Sequence, residues 1–125
     1  MGARKANNGS AEISPLTPAV FHILLALSDG RKHGYAILKQ VNADGGYSLR
    51  MGPGTLYGSL QRMEASGLVQ EFEDASDERR RFYESTGSGQ RALTHELRRL
   101  REVLSAAARK GLASSNAIRT SGESR

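Results

Sequence analysis

The spacing of apolar and polar residues along the chain predicts three helices, a β-hairpin and a long final helix. The first helix is expected to begin at Thr17, which suits an N-cap, and Pro18, which suits the first helical position. It is apolar on most of its surface until Asp29 and Gly30, where it should stop. A helix of this kind belongs at the centre of a fold.

Two further helices are predicted, over about residues 34–43 and 53–66. Each has apolar residues at helical spacing on one side and polar or small residues on the other. The residues predicted to face inward are Tyr35, Leu38 and Val41, with Ile37 beside them, in the second helix, and Leu56, Leu60 and Met63 in the third.

A hairpin and a long helix complete the pattern. Two β-prone runs, 68–73 and 80–85, flank a polar loop and predict a hairpin with a long tip. The last helix should span about 88–109, with Ser88 as its N-cap. Its leucines follow the 4, 3, 4 spacing of an a/d seam, which can pack on the rest of the domain or on a second copy of the chain. The seam consists of Leu93, Leu97, Leu100 and Leu104.

This order of elements is typical of a winged helix-turn-helix. The predicted fold class is therefore mainly α with a small β-hairpin, a winged helix-turn-helix plus a long C-terminal helix, which is a dimerisation helix if its seam packs on a second copy. The polar ends of the chain read as disordered tails. The predicted divisions are a tail over 1–15, a DNA-binding domain over 16–86, the dimerisation helix over 87–112 and a second tail over 113–125.

The charge of the chain favours a polyanionic partner. The formal net charge is +5, and nine basic residues against three acidic ones fall between Arg79 and Lys110. The chain has no cysteine, no apolar run long enough to span a membrane and no signal peptide, so we expect a cytoplasmic protein. The three histidines have no metal spacing and no nucleophile–base pair is visible, so we expect neither a cofactor nor an enzyme.

The start of the third helix, GPGTLYGSLQRME, is unusually rich in glycine. Its outward face carries small residues and a few directed polar ones, which suits a backbone brought close to DNA: helix N–H groups receive phosphate, and Gln61 and Arg62 can read base edges. The alternative is that the glycines form a turn and that Gly58 makes room for a packed neighbour.

An arginine triplet at the edge of the hairpin is a second feature that suits a polyanion, although it can also be a solvated strand end. Together the two features predict a double-stranded DNA interface. The residues assigned to it are Gly54, Thr55, Tyr57, Gly58, Ser59, Gln61, Arg62, Arg79, Arg80 and Arg81.

Four runs of the sequence resemble the PadR family of bacterial transcriptional regulators: LTPAVFHILLAL, HGYAIL, GPGTLYGSLQRMEASGLV and RRRFYESTGSGQRAL. The single C-terminal helix is similar to the compact subgroup of that family. The resemblance implies a homodimeric winged-helix repressor whose last helix supplies much of the dimer contact, here the leucine seam. It also implies, for some members, a small-molecule effector at the dimer interface. Matching motifs place Thr55 and Tyr57 at DNA, with the wing arginines assisting.

Two hypotheses follow from the sequence. The first is a homodimeric regulator, a repressor by the resemblance, that binds an inverted-repeat operator. The alternative is a winged-helix module that binds protein, with the basic last helix docking on an acidic partner or an anionic membrane, and that has no preference among DNA sequences.

Overall fold

The computed structural model describes residues 16–46 and 49–112, so both predicted tails lie outside the described residues. Four helices and a three-stranded antiparallel sheet make up this part of the chain. In chain order the elements are α1 (Pro18–Ala26), β1 (Lys32–His33), α2 (Gly34–Gly45), α3 (Pro53–Ala65), β2 (Val69–Glu73), β3 (Arg81–Ser85) and α4 (Gly87–Arg109).

The predicted mainly α winged helix-turn-helix is confirmed, with one strand more than the sequence indicated. The strand β1 pairs with β3, so the sheet order is β1-β3-β2. In the register, Lys32 lies opposite Tyr83 and His33 opposite Phe82. The sequence does not reveal β1, because a strand of two residues is too short to show the alternation on which a prediction depends.

The core lies between α1, α2, α3 and the start of α4. Ile23 and Leu24 of α1 are almost fully buried, as the sequence predicted for a central helix. The inward face predicted for α3 is confirmed, because Leu56, Leu60 and Met63 are all buried.

The inward stripe predicted for α2 is wrong at one end. Tyr35 is 67% exposed, whereas Ile37 and Val41 are fully buried. The helix begins at Gly34, and the buried positions follow it at intervals of three and four residues, which turns Tyr35 to solvent.

Thr17 caps α1 as predicted and accepts the Val20 N–H at 3.2 Å.

The cap predicted for α4 is wrong: the N-cap is Thr86, not Ser88. The Thr86 hydroxyl accepts the Gly89 N–H at 3.1 Å and donates to the Gly67 carbonyl at 2.6 Å. Thr86 has the extended backbone that an N-cap needs, while Ser88 already lies inside the helix.

The connection between α2 and α3 is closed by one side-chain amide. Asn42 donates to the Met51 carbonyl at 3.0 Å and accepts the Met51 N–H at 2.8 Å. This pair fixes the start of α3 against the end of α2, the two helices that a helix-turn-helix places on DNA.

The helix α4 has two unlike halves. Its first half packs against α1 and β3 and buries Gly89, Leu93 and Glu96. No residue from 97 to 112 is buried within the chain. The helix ends in a Schellman motif, in which the Leu112 N–H reaches the Ala107 carbonyl at 2.9 Å and Gly111 adopts a φ of +79°.

Candidate nucleic-acid interface

No contact among the described residues explains why the outward face of α3 carries so few large side chains. A Cβ placed on Gly52 or Gly54 would meet no atom within 4 Å, and on Gly58 it would meet only the Arg62 guanidinium at 3.5 Å. None of the three has a positive φ. Neither packing nor backbone strain therefore requires these glycines. Gly52 is the N-cap, a position that tolerates glycine, whereas Gly58 lies inside the helix, where a glycine costs about 0.5–1 kcal/mol. The alternative that Gly58 makes room for a packed neighbour loses its support.

Most side chains predicted on this face do point to solvent. Thr55, Tyr57, Gln61 and Arg62 are exposed. Together with Gly54 and Gly58 they form the recognition face, the name used below for this surface of α3.

Ser59 does not belong to the recognition face. It is 3% exposed and accepts a hydrogen bond from the Arg62 guanidinium at 3.3 Å. Its place on the helix wheel, close to Leu56 and Met63, turns it inward. The assignment of Ser59 to the DNA interface is therefore wrong.

Tyr57 links the recognition face to α2. A Cβ on Gly34 would lie 2.3 Å from the Tyr57 hydroxyl oxygen, so the phenol ring crosses the first residue of α2. A glycine at the start of α2 thus leaves room for the Tyr57 ring in this position; a side chain there would require the ring to shift. The HGY run is visible in the sequence, but the contact that explains its glycine is not.

The three wing arginines have unequal surroundings. Arg79 is almost fully exposed, with Asp77 at 3.4 Å. Arg80 donates to the Nδ1 atom of His33 at 2.9 Å. Arg81 is only partly exposed and lies 3.2 Å from the Glu71 carboxylate, which offsets its charge.

Two acids of the wing loop are engaged inside the wing. Asp74 accepts the Ser76 N–H at 2.9 Å and the Ser76 hydroxyl at 2.7 Å, and Asp77 accepts the Arg79 N–H at 3.0 Å. The Ser76 hydroxyl, and after it His33, lowers the pKa of Asp74 to about 2. These carboxylates order the wing loop by binding its own N–H and O–H groups.

An open groove of about 470 Å³ separates the recognition face from the sheet. Its floor includes Tyr83, whose pKa is raised to about 12 by burial and then by the nearby Glu71. Glu64 and Glu71 also line it, and such carboxylates disfavour a phosphate there. Sequence reasoning missed this groove because its residues come from α3, β2 and β3, which only the fold brings together.

The other face of the sheet carries an aromatic layer. The Arg31 guanidinium lies 4.2 Å from the centre of the Phe72 ring and 3.1 Å from the Glu84 carboxylate. The His33 ring stacks on Phe82 with 4.0 Å between centres. These contacts hold β1, and with it the start of α2, against the wing.

The predicted leucine seam divides between the two halves of α4. Leu93 is 8% exposed and belongs to the core of its own chain, whereas Leu97 and Leu104 are 42% and 41% exposed. Leu100 is half-buried. Val103 and Leu112, which the leucine spacing did not single out, are exposed apolar residues on the same unpacked half.

The described part of the chain lacks two other kinds of feature. None of its helices is long and apolar enough to cross a membrane. In residues 16–46 and 49–112, no three histidine or acidic side chains come close enough together to hold a metal ion.

The helix-turn-helix, the bare recognition face and the basic wing define a winged-helix protein of the DNA-binding class. The model of the family described as "Transcriptional regulator PadR-like family" matches residues 23–95, more than half of the chain. The chain therefore belongs to the PadR family, whose members are non-enzymatic regulators of transcription.

Individual relatives agree with this assignment. The chain is 39% identical over 83 residues to the transcriptional regulator Rv3488 of Mycobacterium tuberculosis, covering 66% of this chain and 75% of that one. A PadR family transcription regulator from Clostridium difficile R20291 has a similar fold, with a TM-score of 0.64 at 24% identity, and the match covers 74% of this chain and 97% of that one.

A second similar fold is that of BpsR from Bordetella bronchiseptica, a protein whose DNA binding is regulated by 6-hydroxynicotinic acid. Its TM-score is 0.62 at 21% identity, over 79% of this chain and 66% of that one.

Proposed function

We propose that this PadR-family regulator is a homodimer that binds an inverted-repeat operator and represses transcription in the cytoplasm. Each protomer would insert its recognition face into a major groove, with half-sites about 10 base pairs apart. The observation that carries the proposal is the bare outward side of α3, whose glycines no contact within the chain requires. The glycines would allow a DNA double helix to approach the backbone of α3 closely.

Each part of the interface has a distinct role in this proposal. The N-terminus of α3 and the hydroxyls of Thr55 and Tyr57 bind phosphate, which sets the register. Gln61 and Arg62 contact base edges and so select the sequence. Arg79 and Arg80 contact the backbone beside the wing, while Arg81, already paired with Glu71, contributes less.

The second half of α4 supplies the proposed dimer contact. Leu97, Leu100 and Leu104 lie on one side of a helix segment in which no residue is buried; Leu97 and Leu104 are exposed and Leu100 is half-buried. A partner helix would cover this apolar row at a/d spacing. Leu93 is left out of the proposed interface because its own core already covers it.

A small molecule at the dimer interface is the proposed means of release from DNA. The sequence resemblance implies such effectors for some family members, and the DNA binding of the structurally similar BpsR is regulated by 6-hydroxynicotinic acid. In this chain the effector would lie beside the unpacked half of α4, where it could change the spacing of the two recognition faces.

Selection of bound fragments from a random DNA pool tests the proposal. The wild-type protein should enrich a palindrome. Arg62→Ala should weaken binding to it by about 1–3 kcal/mol and blur one base position in each half-site, because a base-edge contact is lost. The matched control is Arg98→Ala, which removes another exposed charge, this time from α4, and should leave the enriched sequence unchanged.

Failure of the wild-type protein to enrich any sequence would overturn the proposal and favour the protein-interaction alternative. Enrichment of the same palindrome by Arg62→Ala, with unchanged base preferences, would remove Arg62 from the set of base contacts.

A further inference from the structure

One imidazole holds both ends of the wing loop. The Nε2 atom of His33 lies 2.8 Å from the Asp74 carboxylate, which follows β2, and its Nδ1 atom lies 2.9 Å from the guanidinium of Arg80, which precedes β3. The ring is also stacked on Phe82. His33 is at the same time the N-cap residue of α2, so it connects the wing to the helix-turn-helix.

These two contacts fix the tautomer of the neutral ring. A guanidinium has only donors, so the Nδ1 atom of His33 must accept from Arg80 and carries no proton. The proton therefore resides on Nε2, where it is donated to the Asp74 carboxylate. Asp74 is ionised and almost buried, which makes it a suitable acceptor.

A second proton on the ring would change the Arg80 contact and keep the Asp74 one. The Nδ1 atom would become a donor, and it would face another donor that carries a positive charge. The bond to Asp74 would become an ion pair and would persist. The other cations near the ring are already engaged: Arg31 pairs with Glu84, and Lys32 pairs with Asp29.

We propose that His33 is a proton-linked phosphate contact: neutral, it holds Arg80 back on the wing, and protonated, it donates with Arg80 to one DNA phosphate. A phosphate oxygen is the acceptor that both groups need once Nδ1 bears a proton. Histidine is the side chain that ordinarily changes charge between pH 5 and 8. The inference rests on the proposed DNA-binding function and adds a regulatory property to it.

Linkage gives the direction of the effect. If the DNA complex favours the protonated ring, binding takes up a proton and operator affinity rises as pH falls. We expect Kd for the selected operator to fall about ten-fold between pH 8 and pH 5.5. The slope of log K against log salt should steepen by about one over the same range, because one more phosphate contact forms.

The test measures Kd and its salt slope at both pH values for the wild type, His33→Gln and His95→Gln. The glutamine that replaces His33 keeps an amide donor for Asp74 but cannot titrate, so the Kd of this variant should be nearly independent of pH. His95 is exposed on α4, and its replacement should leave the pH response as it is in the wild type. Nitrogen chemical shifts of the free protein at pH 8 should show His33 protonated at Nε2 alone.

The outcomes separate this inference from the function on which it rests. Specific binding that ignores pH, that weakens as pH falls, or that responds to pH equally in His33→Gln overturns the role of His33 and leaves the regulator intact. A ring protonated at Nδ1 in the free protein overturns it as well. If the wild-type protein binds no DNA sequence specifically at any pH, the proposed function is overturned, and this inference with it.

Discussion

At the scale of single residues, Gly89 is the described glycine that leaves the least room for a side chain. A Cβ there would lie 2.2 Å from the Leu68 carbonyl oxygen. That oxygen cannot easily move, because it also accepts the Thr86 N–H at 3.0 Å. Gly89 thus allows the first turn of α4 to pack closely against Leu68, the residue just before β2.

Gly89→Ala should lower the free energy of unfolding by about 1–3 kcal/mol, the usual cost of overpacking. Gly87→Ala is the matched control in the same helical turn. Its Cβ would meet only the flexible end of Arg91 at 3.3 Å, so it should be neutral or stabilise by up to about 1 kcal/mol through helix propensity. Urea unfolding followed by circular dichroism measures both, and equal stability of the two variants would contradict the role given to Gly89.

At the scale of elements, the wing is fixed to the helix-turn-helix more firmly than a hairpin alone would be. The strand β1 adds a second partner for β3, and the Arg31 and His33 contacts with Phe72 and Phe82 cover the outer face of the sheet. The wing arginines lie at the start of β3 and just before it, and their different neighbours should give them different effects on DNA binding.

Arg80→Ala should lower the affinity for every DNA sequence and reduce the salt slope by about one, because a phosphate contact at the wing is lost. Arg81→Ala should leave the salt slope nearly unchanged, because Glu71 already occupies that guanidinium. Fluorescence anisotropy over a range of salt concentrations, at about pH 5.5, where the proposed proton on His33 releases Arg80 to DNA, gives both slopes. Equal slopes in the wild type and Arg80→Ala would remove the wing from the interface.

At the scale of the whole molecule, α4 divides the protein into a packed domain and a projecting arm. Leu97, Val103 and Leu104 of the arm are exposed in the described part of the chain, which is unusual for a row of large apolar residues in water. A second copy is the partner proposed for this surface.

Leu104→Glu should convert the dimer to a folded monomer and lower operator affinity, because a charge would enter the apolar seam. Ser105→Glu introduces the same charge at the neighbouring position, away from the seam, and should stay dimeric. Sedimentation equilibrium gives the mass and circular dichroism the fold. A Leu104→Glu protein that remains dimeric would exclude this seam as the contact.

The periodic parts of the fold could be predicted from the sequence, and the parts that depend on distant contacts could not. The buried face of α3 followed from Leu56, Leu60 and Met63 at helical spacing, and the Thr17 cap from its place before Pro18. Tyr35 was misplaced because it was grouped with Leu38 and Val41 at intervals of three residues, whereas the buried stripe runs through Gly34, Ile37 and Val41.

The candidate site shows the same division. The exposed positions of α3 could be predicted, but Ser59 was assigned by the chemistry of its hydroxyl and not by its angle on the helix. The pairing of His33 with Asp74 joins residues 41 positions apart, and no local pattern signals it. The sequence left open whether the leucine seam packs on its own domain or on a second copy of the chain. In the structure Leu93 packs within its own chain, whereas Leu97 and Leu104 are exposed.

The anchoring of α4 at Gly89 has a mechanical consequence. From Glu96 to Arg109 the helix of the arm rises about 20 Å at 1.5 Å per residue. With its root held in place, a rotation of the arm by about 10° would move its tip about 3.5 Å sideways, and displacing the tip would likewise rotate the packed domain. A small molecule wedged between two such arms would thereby alter how far apart the two α3 helices sit along a duplex.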